Sequence, residues 1–188
     1  MRDDDAESEV AQRMFRRKNL LQDTALACVE RGIPVQAGTA DGLPAASGWL
    51  TDVAEVRATW SVADPPNILA CSSDSVAIWR LPRVAGAYGK RLYEQQRPDV
   101  WPPTMKLPDG DWITCTLPPE DDLGPLATGV KYLSPGTPVL IPPSRNAAGR
   151  RLRWDGSDFP VHPLPSAEAV LSMVLLAEHE HRELHGGI

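Results

Sequence analysis

The apolar positions of this chain change period several times, and each change marks an element. From Val10 to Glu30, the residues Val10, Met14, Leu21, Ala25 and Cys28 or Val29 recur at helical spacing, with Arg13, Arg16, Arg17 and Lys18 interleaved and Gly32 as a stop. One long helix or two short ones therefore open the fold. Ahead of them, residues 1–9 hold five acidic groups and no apolar pattern, the signature of a disordered, solvated leader. The segment IPVQAG predicts a short strand and DGLPAASG a turn. WLTDVAEVRATWS then predicts a helix capped by Thr51, with Val53, Val56 and Trp60 on one face.

NILACSS and DSVAIWRL predict two strands with the spacing of a hairpin, the second bounded by Pro82. Ala85 to Gln96 predicts a helix containing Tyr88, Leu92 and Tyr93, which PDVWPPTM ends. After an Asp-Gly turn, DGDWITCTL sets Trp112, Thr114 and Thr116 against Ile113, Cys115 and Leu117 in a period of two. A polar loop runs from Pro118 to Gly124. GVKYLSPGTPVLIPPS supplies another strand or two around Val139, Leu140 and Ile141, NAAG a turn and RRLRWDG a last strand. Ser166 caps a final helix from Ala167 to about Leu184. This order predicts an α+β fold: one domain over residues 10–165, then a C-terminal helix and tail at 166–188. No internal repeat is present.

Composition narrows the picture. The 188 residues, 42% hydrophobic and 23% charged, suit a single core. Nineteen prolines and fourteen glycines break up long helices and exclude an all-helical bundle. No apolar run approaches the ~20 residues a bilayer requires, and MRDDDAESEV is not a targeting segment, so a soluble, cytoplasmic protein without a membrane partner is expected. A formal charge of −6 repels polyanions, so any grip on nucleic acid must be local. Cys28, Cys71 and Cys115 are odd in number, far apart and without CxxC spacing, which argues against a disulfide framework and a thiolate zinc site.

Three clusters carry candidate chemistry. Arg145, Arg150, Arg151 and Arg153 stand beside Trp154, a composition that holds phosphates and stacks bases. On a strand, Arg151 and Arg153 share one face, which is equally how charge protects an exposed edge, and in an acidic chain the edge reading is preferred. Arg13, Arg16, Arg17 and Lys18 on the opening helix face DNA or a partner, or merely balance the acidic leader. In HEHRELH, His181 and His185 stand at i and i+4 with Glu178 one turn from His181, but no third ligand is compelling and a solvated helical tail is preferred. Val170, Met173, Val174 and Ala177 make the preceding turns a packing face, for the core or for a second copy. No GxxxxGK[ST], GxGxxG or GxSxG loop occurs, so hydrolase, kinase and dinucleotide-enzyme readings have no support.

In order, ALACVERGIPV, WLTDVAEVRATWSVADPPNILACSSDSVAIWRLP, PDGDW and VLIPPSRNAAGRRLRW resemble the amino-terminal domain of the bifunctional primase-polymerase family, a branch of the archaeo-eukaryotic primase superfamily. The similarity covers Ala25 to Asp158. Its best anchor is IPPS, ending at Ser144, followed by Gly149 and Trp154, similar to the family's Pro-Pro-Ser turn and returning strand. Thr51-Asp52, Trp60 and Asn67-Ile68 are secondary anchors. The resemblance implies an RRM-like mixed sheet flanked by helices, and a metal-dependent nucleotidyl transfer in which an Asp-x-Asp pair holds divalent cations against a triphosphate.

Measured against that pattern, Trp79 and Leu81 stand where the two carboxylates would be, and Trp112 stands where the family's phosphate-contacting histidine follows a turn, with Gly110 retained. Indole offers one donor and no acceptor, so these replacements remove the coordination shell. Asp74, Asp109 and Asp111 are the nearby carboxylates that a shifted metal site would use. The resulting expectation is a catalytically inactive primase-polymerase-like domain, with no metal or other cofactor, acting as a protein-interaction or regulatory module with a protein partner or a second copy. Two alternatives remain open. One is a DNA- or nucleotide-binding module of replication or transcription control using Ser144, Arg145, Arg150, Arg151, Arg153 and Trp154. The other is an active primase-polymerase with shifted carboxylates.

Overall fold

A computed structural model describes residues 3–96, 101–120, 123–155, 159 and 163–185, the side chains at 3–11, 13, 14, 184 and 185 excepted. Among them it is an α+β protein of four helices and two antiparallel sheets. The chain forms two compact units, Met1–Cys71 with Pro138–Leu152, and Ser72–Thr137 with Arg153–Ile188.

In the first unit, α1 spans Asp3–Glu30, one helix and not two, beginning ahead of the start at Val10 that the apolar period marks. Gly32 ends it at φ 72°, and Arg31 and Ile33 both donate backbone N–H to Cys28 O at 3.0 Å. Strand β1 (Val35–Gly38) is followed by α2 (Val53–Trp60), whose cap is Asp52 in place of Thr51. The Asp52 carboxylate accepts from Ala54 N at 2.8 Å and Glu55 N at 3.0 Å, a charged acceptor that a neighbouring hydroxyl does not match. Val56 and Trp60 are buried as the period predicts, while Val53 stays exposed. Strands β1, β2 (Asn67–Ala70) and β7 (Val139–Ile141) form a sheet in the order β1-β2-β7, on which α1 packs through β1 and β2.

In the second unit, β3 (Ala77–Leu81), β4 (Thr104–Lys106), β5 (Trp112–Thr116) and β6 (Lys131–Leu133) form a sheet in the order β4-β5-β3-β6. Helices α3 (Arg83–Gln96) and α4 (Ala167–His185) pack on each other. They approach closely at Gly89, where an added Cβ would lie 2.8 Å from Val174 Cγ2 and 3.0 Å from Val174 Cα. Ser166 caps α4 as expected, accepting from Ala169 N at 3.2 Å. The face with Val170, Val174 and Ala177 is buried in this unit's own core.

Three expectations are corrected. Every strand pairing among the described residues is antiparallel, in two sheets, so the mixed sheet is absent there. NILACSS and DSVAIWRL do not pair as a hairpin. The Ser73–Val76 turn takes the chain from β2 into the other sheet, where β3 pairs along its whole length with β5 and over three residues with β6. RRLRWDG is not a strand. It supplies only the isolated bridges Arg145–Arg151 and Thr104–Asp155, because the tight Asn146–Gly149 turn pins one end and β4 takes a single residue at the other.

Candidate functional site

Trp79, Leu81 and Trp112 come together. Trp79 and Leu81 stand two residues apart on β3 and so on one face, and Leu81 pairs in register with Trp112 of β5. The three side chains are 2%, 0% and 6% exposed, within one apolar cluster that includes Ala85 and Tyr93 of α3 and Val170 and Val174 of α4. Trp79 Nε1 donates to Thr116 Oγ1 at 2.9 Å, and Tyr132 covers its ring at 5.1 Å between centroids. Trp112 lies under Gly86, where a Cβ would sit 3.3 Å from its ring, and Lys106 Nζ stands 5.0 Å from the ring centroid. The cluster is packed and apolar. Each such side chain contributes about 2–3 kcal/mol by burial, and a carboxylate in its place would be a charge removed from water.

Charge is held at the rim. Lys90 and Lys106 approach the Asp155 carboxylate at 2.9 and 3.2 Å, and the hydrogen bond from Lys90, more than that from Lys106, keeps its pKa below the ordinary value. Arg80, the residue between Trp79 and Leu81, lies on the opposite face of β3. Its Nε reaches Asp111 Oδ2 at 2.8 Å and its Nη2 reaches Asp109 Oδ2 at 2.5 Å. The Asp111 bond, followed by the Asp109 charge, raises the guanidinium's pKa despite partial burial. Two of the three carboxylates named for a shifted metal site, Asp109 and Asp111, are thus engaged by Arg80. Asp74 is exposed in the turn before β3. Among the described residues no three His, Cys, Asp or Glu side chains are grouped as a metal would need.

The arginine cluster is divided: Arg145, Arg150 and Arg151 belong to the first unit, Arg153 and Trp154 to the second. Ser144 is buried and structural, its Oγ accepting from Ile68 N at 2.8 Å. Asn67 brackets the Arg145 backbone, donating to its carbonyl at 2.9 Å and accepting from its N–H at 3.0 Å. Arg145 Nη1 donates to Gly149 O at 2.7 Å, while Arg150, Arg151 and Arg153 are exposed. The shared face expected of Arg151 and Arg153 is lost with the strand. Trp154 packs edge-on against Phe159 at 5.1 Å, so its ring is engaged within the protein.

On α1, Arg16 is exposed and Arg17 Nη1 lies 3.5 Å from Asp64. On α4, His181 stacks against Tyr88 at 5.3 Å. Glu178 receives Thr128 N at 2.9 Å and Arg182 at 2.5 Å; burial works to raise its pKa, and these bonds outweigh it and lower it. The Glu178 carboxylate is therefore engaged by Thr128 and Arg182. The side chains of Val10, Arg13, Met14 and His185, and residue Asp158, lie outside the described residues.

Sequence reading missed one feature, a groove of about 360 Å³ beside α3 and α4, walled by Val84, Tyr88, Ala177, Glu178 and His181. The only linear signal was Val84 and Tyr88 at i and i+4 on a helix face whose other side is buried. No helix among the described residues is long and apolar enough to cross a membrane. No protein-family model, curated protein or solved structure matches the chain.

Proposed function

We propose that this chain is a catalytically inactive primase-polymerase-like domain that works as a protein-interaction or regulatory module. One observation carries the reading: the positions where the resemblance calls for metal ligands, Trp79, Leu81 and Trp112, are packed together in an apolar core. Substrate phosphates and a divalent cation need an open polar cleft, and this face of the sheet is filled with indole and aliphatic carbon. The engagement of Asp109 and Asp111 by Arg80 supports the same conclusion, since a displaced metal site would have to break both ion pairs.

The test is incorporation of labelled nucleotides on a primed and an unprimed template with Mg²⁺ or Mn²⁺, together with oligonucleotide binding at low salt. Neither is expected. Incorporation that disappears in Asp109→Asn/Asp111→Asn would establish an enzyme with shifted carboxylates. Salt-dependent oligonucleotide binding lost in Arg150→Ala/Arg151→Ala would establish the nucleic-acid module.

A further inference from the structure

The tight turn after β7 gathers positive charge onto a braced loop. Leu152 N donates to Ser144 O at 2.8 Å, Asn146 N to Arg150 O at 3.0 Å and Gly149 N to Asn146 O at 2.8 Å. Asn146 Oδ1 accepts from Arg150 N at 3.0 Å, and Asn67 of β2 grips the Arg145 backbone from both sides. Arg145, Arg150 and Arg151 stand exposed on this loop, three guanidinium groups within seven residues of a chain whose formal charge is −6. None of the three is in an ion pair among the described residues. Arg145 Nη1 donates to the neutral Gly149 carbonyl, which holds the side chain without compensating its charge. Arg145 and Arg151 face each other directly in an isolated antiparallel bridge, which puts both side chains on one side of the loop. Like charges so opposed cost stability. Protection of a sheet edge does not account for them, since the chain from Arg150 to Asp155 forms no strand.

We propose that this loop is a docking surface for an acidic segment of a partner protein, whose carboxylates are received by Arg145, Arg150 and Arg151. An aspartate or glutamate side chain brings two oxygens at the spacing of the guanidinium fork, and one lodged between Arg145 and Arg151 turns a repulsion into charge-assisted hydrogen bonds. Nucleic acid fits less well. Its dense phosphate charge meets the repulsion of an acidic molecule over a longer span, and Trp154, the aromatic nearest in sequence, has its ring packed on Phe159 and so offers bases no platform. The proposal rests on reading the chain as an interaction module and names the chemistry of its partner.

Fluorescence titration of the full chain with dye-labelled octaglutamate, at about 20 mM and about 500 mM salt, tests it. Binding is expected at low salt and is expected to vanish at high salt, with octaglutamine inert. Arg150→Glu and Arg151→Glu should each weaken it about tenfold or more, whereas Arg16→Glu, the same charge change at an exposed position of α1, should weaken it far less. Arg151→Glu also sets opposite charges across the bridge, so its melting temperature should match or exceed that of the wild type. A chain that fails to bind octaglutamate at ~1 mM, or that loses binding equally in Arg16→Glu, overturns the proposal. So does a lowered melting temperature in Arg151→Glu, which would give the arginine pair a role in the fold. Tighter binding of a single-stranded oligonucleotide of equal length overturns it too, and would assign the surface to nucleic acid. Nucleotide incorporation by the chain would sink the inactive-module reading and leave the arginine surface standing; absent peptide binding would do the reverse.

Discussion

Trp79 donates its indole N–H to Thr116 Oγ1 at 2.9 Å, and the Thr116 hydroxyl in turn donates a hydrogen bond to the Leu117 carbonyl at 2.7 Å. A large apolar ring is thereby seated in the second unit's core with its single polar atom satisfied, at the position the resemblance assigns to a metal-binding carboxylate.

Trp79→Ala is expected to cost about 3–5 kcal/mol, as deletion of a fully buried aromatic does. Trp79→Asp is expected to cost more, since its carboxylate gains no cationic partner there. Urea denaturation gives both values, and Mn²⁺ titration of Trp79→Asp should show no binding. A stable Trp79→Asp that binds Mn²⁺ contradicts the account of this site.

Helix α3 meets α4 through glycine. Gly89→Ala pushes a methyl group to 3.0 Å from the Val174 backbone and should destabilise by about 1–3 kcal/mol, even after the helix gains ~1 kcal/mol of propensity. Gly86→Ala meets only the Trp112 ring at 3.3 Å and should be nearly neutral. Thermal melts of the pair rank them; the opposite order is incompatible with this packing.

The α2 cap separates two adjacent residues. Asp52→Ala removes both hydrogen bonds and is expected to lose about 1 kcal/mol, whereas Thr51→Ala is expected to stay within about 0.5 kcal/mol.

Asp155 predicts a pH dependence. Its pKa is depressed in the folded chain, so pairing with Lys90 and Lys106 adds stability above the ordinary carboxylate range. That contribution is lost as pH falls through the depressed value. Asp155→Asn should therefore lower stability at neutral pH by no more than about 1 kcal/mol, given the solvent screening of a partly exposed pair, and by progressively less in acid. Unfolding midpoints measured from neutral pH down into the acid range should converge for the two proteins.

All three cysteines are buried, and burial pushes the Cys28 thiol up to about 12, against the opposing charge of Arg31. The native protein should react slowly with a thiol reagent at pH 8 and yield all three thiols in denaturant. Rapid labelling of the folded chain would contradict this burial.

Much of the element order was legible in the chain. The α+β class, the Gly32 stop, the strands around Val35 and Val139, and the Ser166 cap follow from local periods and turn residues that act within a few positions. The sequence does not distinguish Thr51 from Asp52 as the cap, because adjacent Thr and Asp offer equivalent patterns, and only the backbone at Asp52, extended at φ −99°, selects the acceptor.

What local pattern does not contain is which strand pairs with which. The run VAIWRL reads the same whether it turns back on NILA or joins DWITC, and the Ser73–Val76 turn decides for the second. That one choice places Leu81 opposite Trp112. It also leaves Arg80 facing Asp109 and Asp111. Residue types alone determined that Trp79, Leu81 and Trp112 lack the oxygens a cation needs. Tertiary pairing decided that they close one apolar core, because burial is a property of neighbours distant in sequence and no single segment encodes its own neighbours.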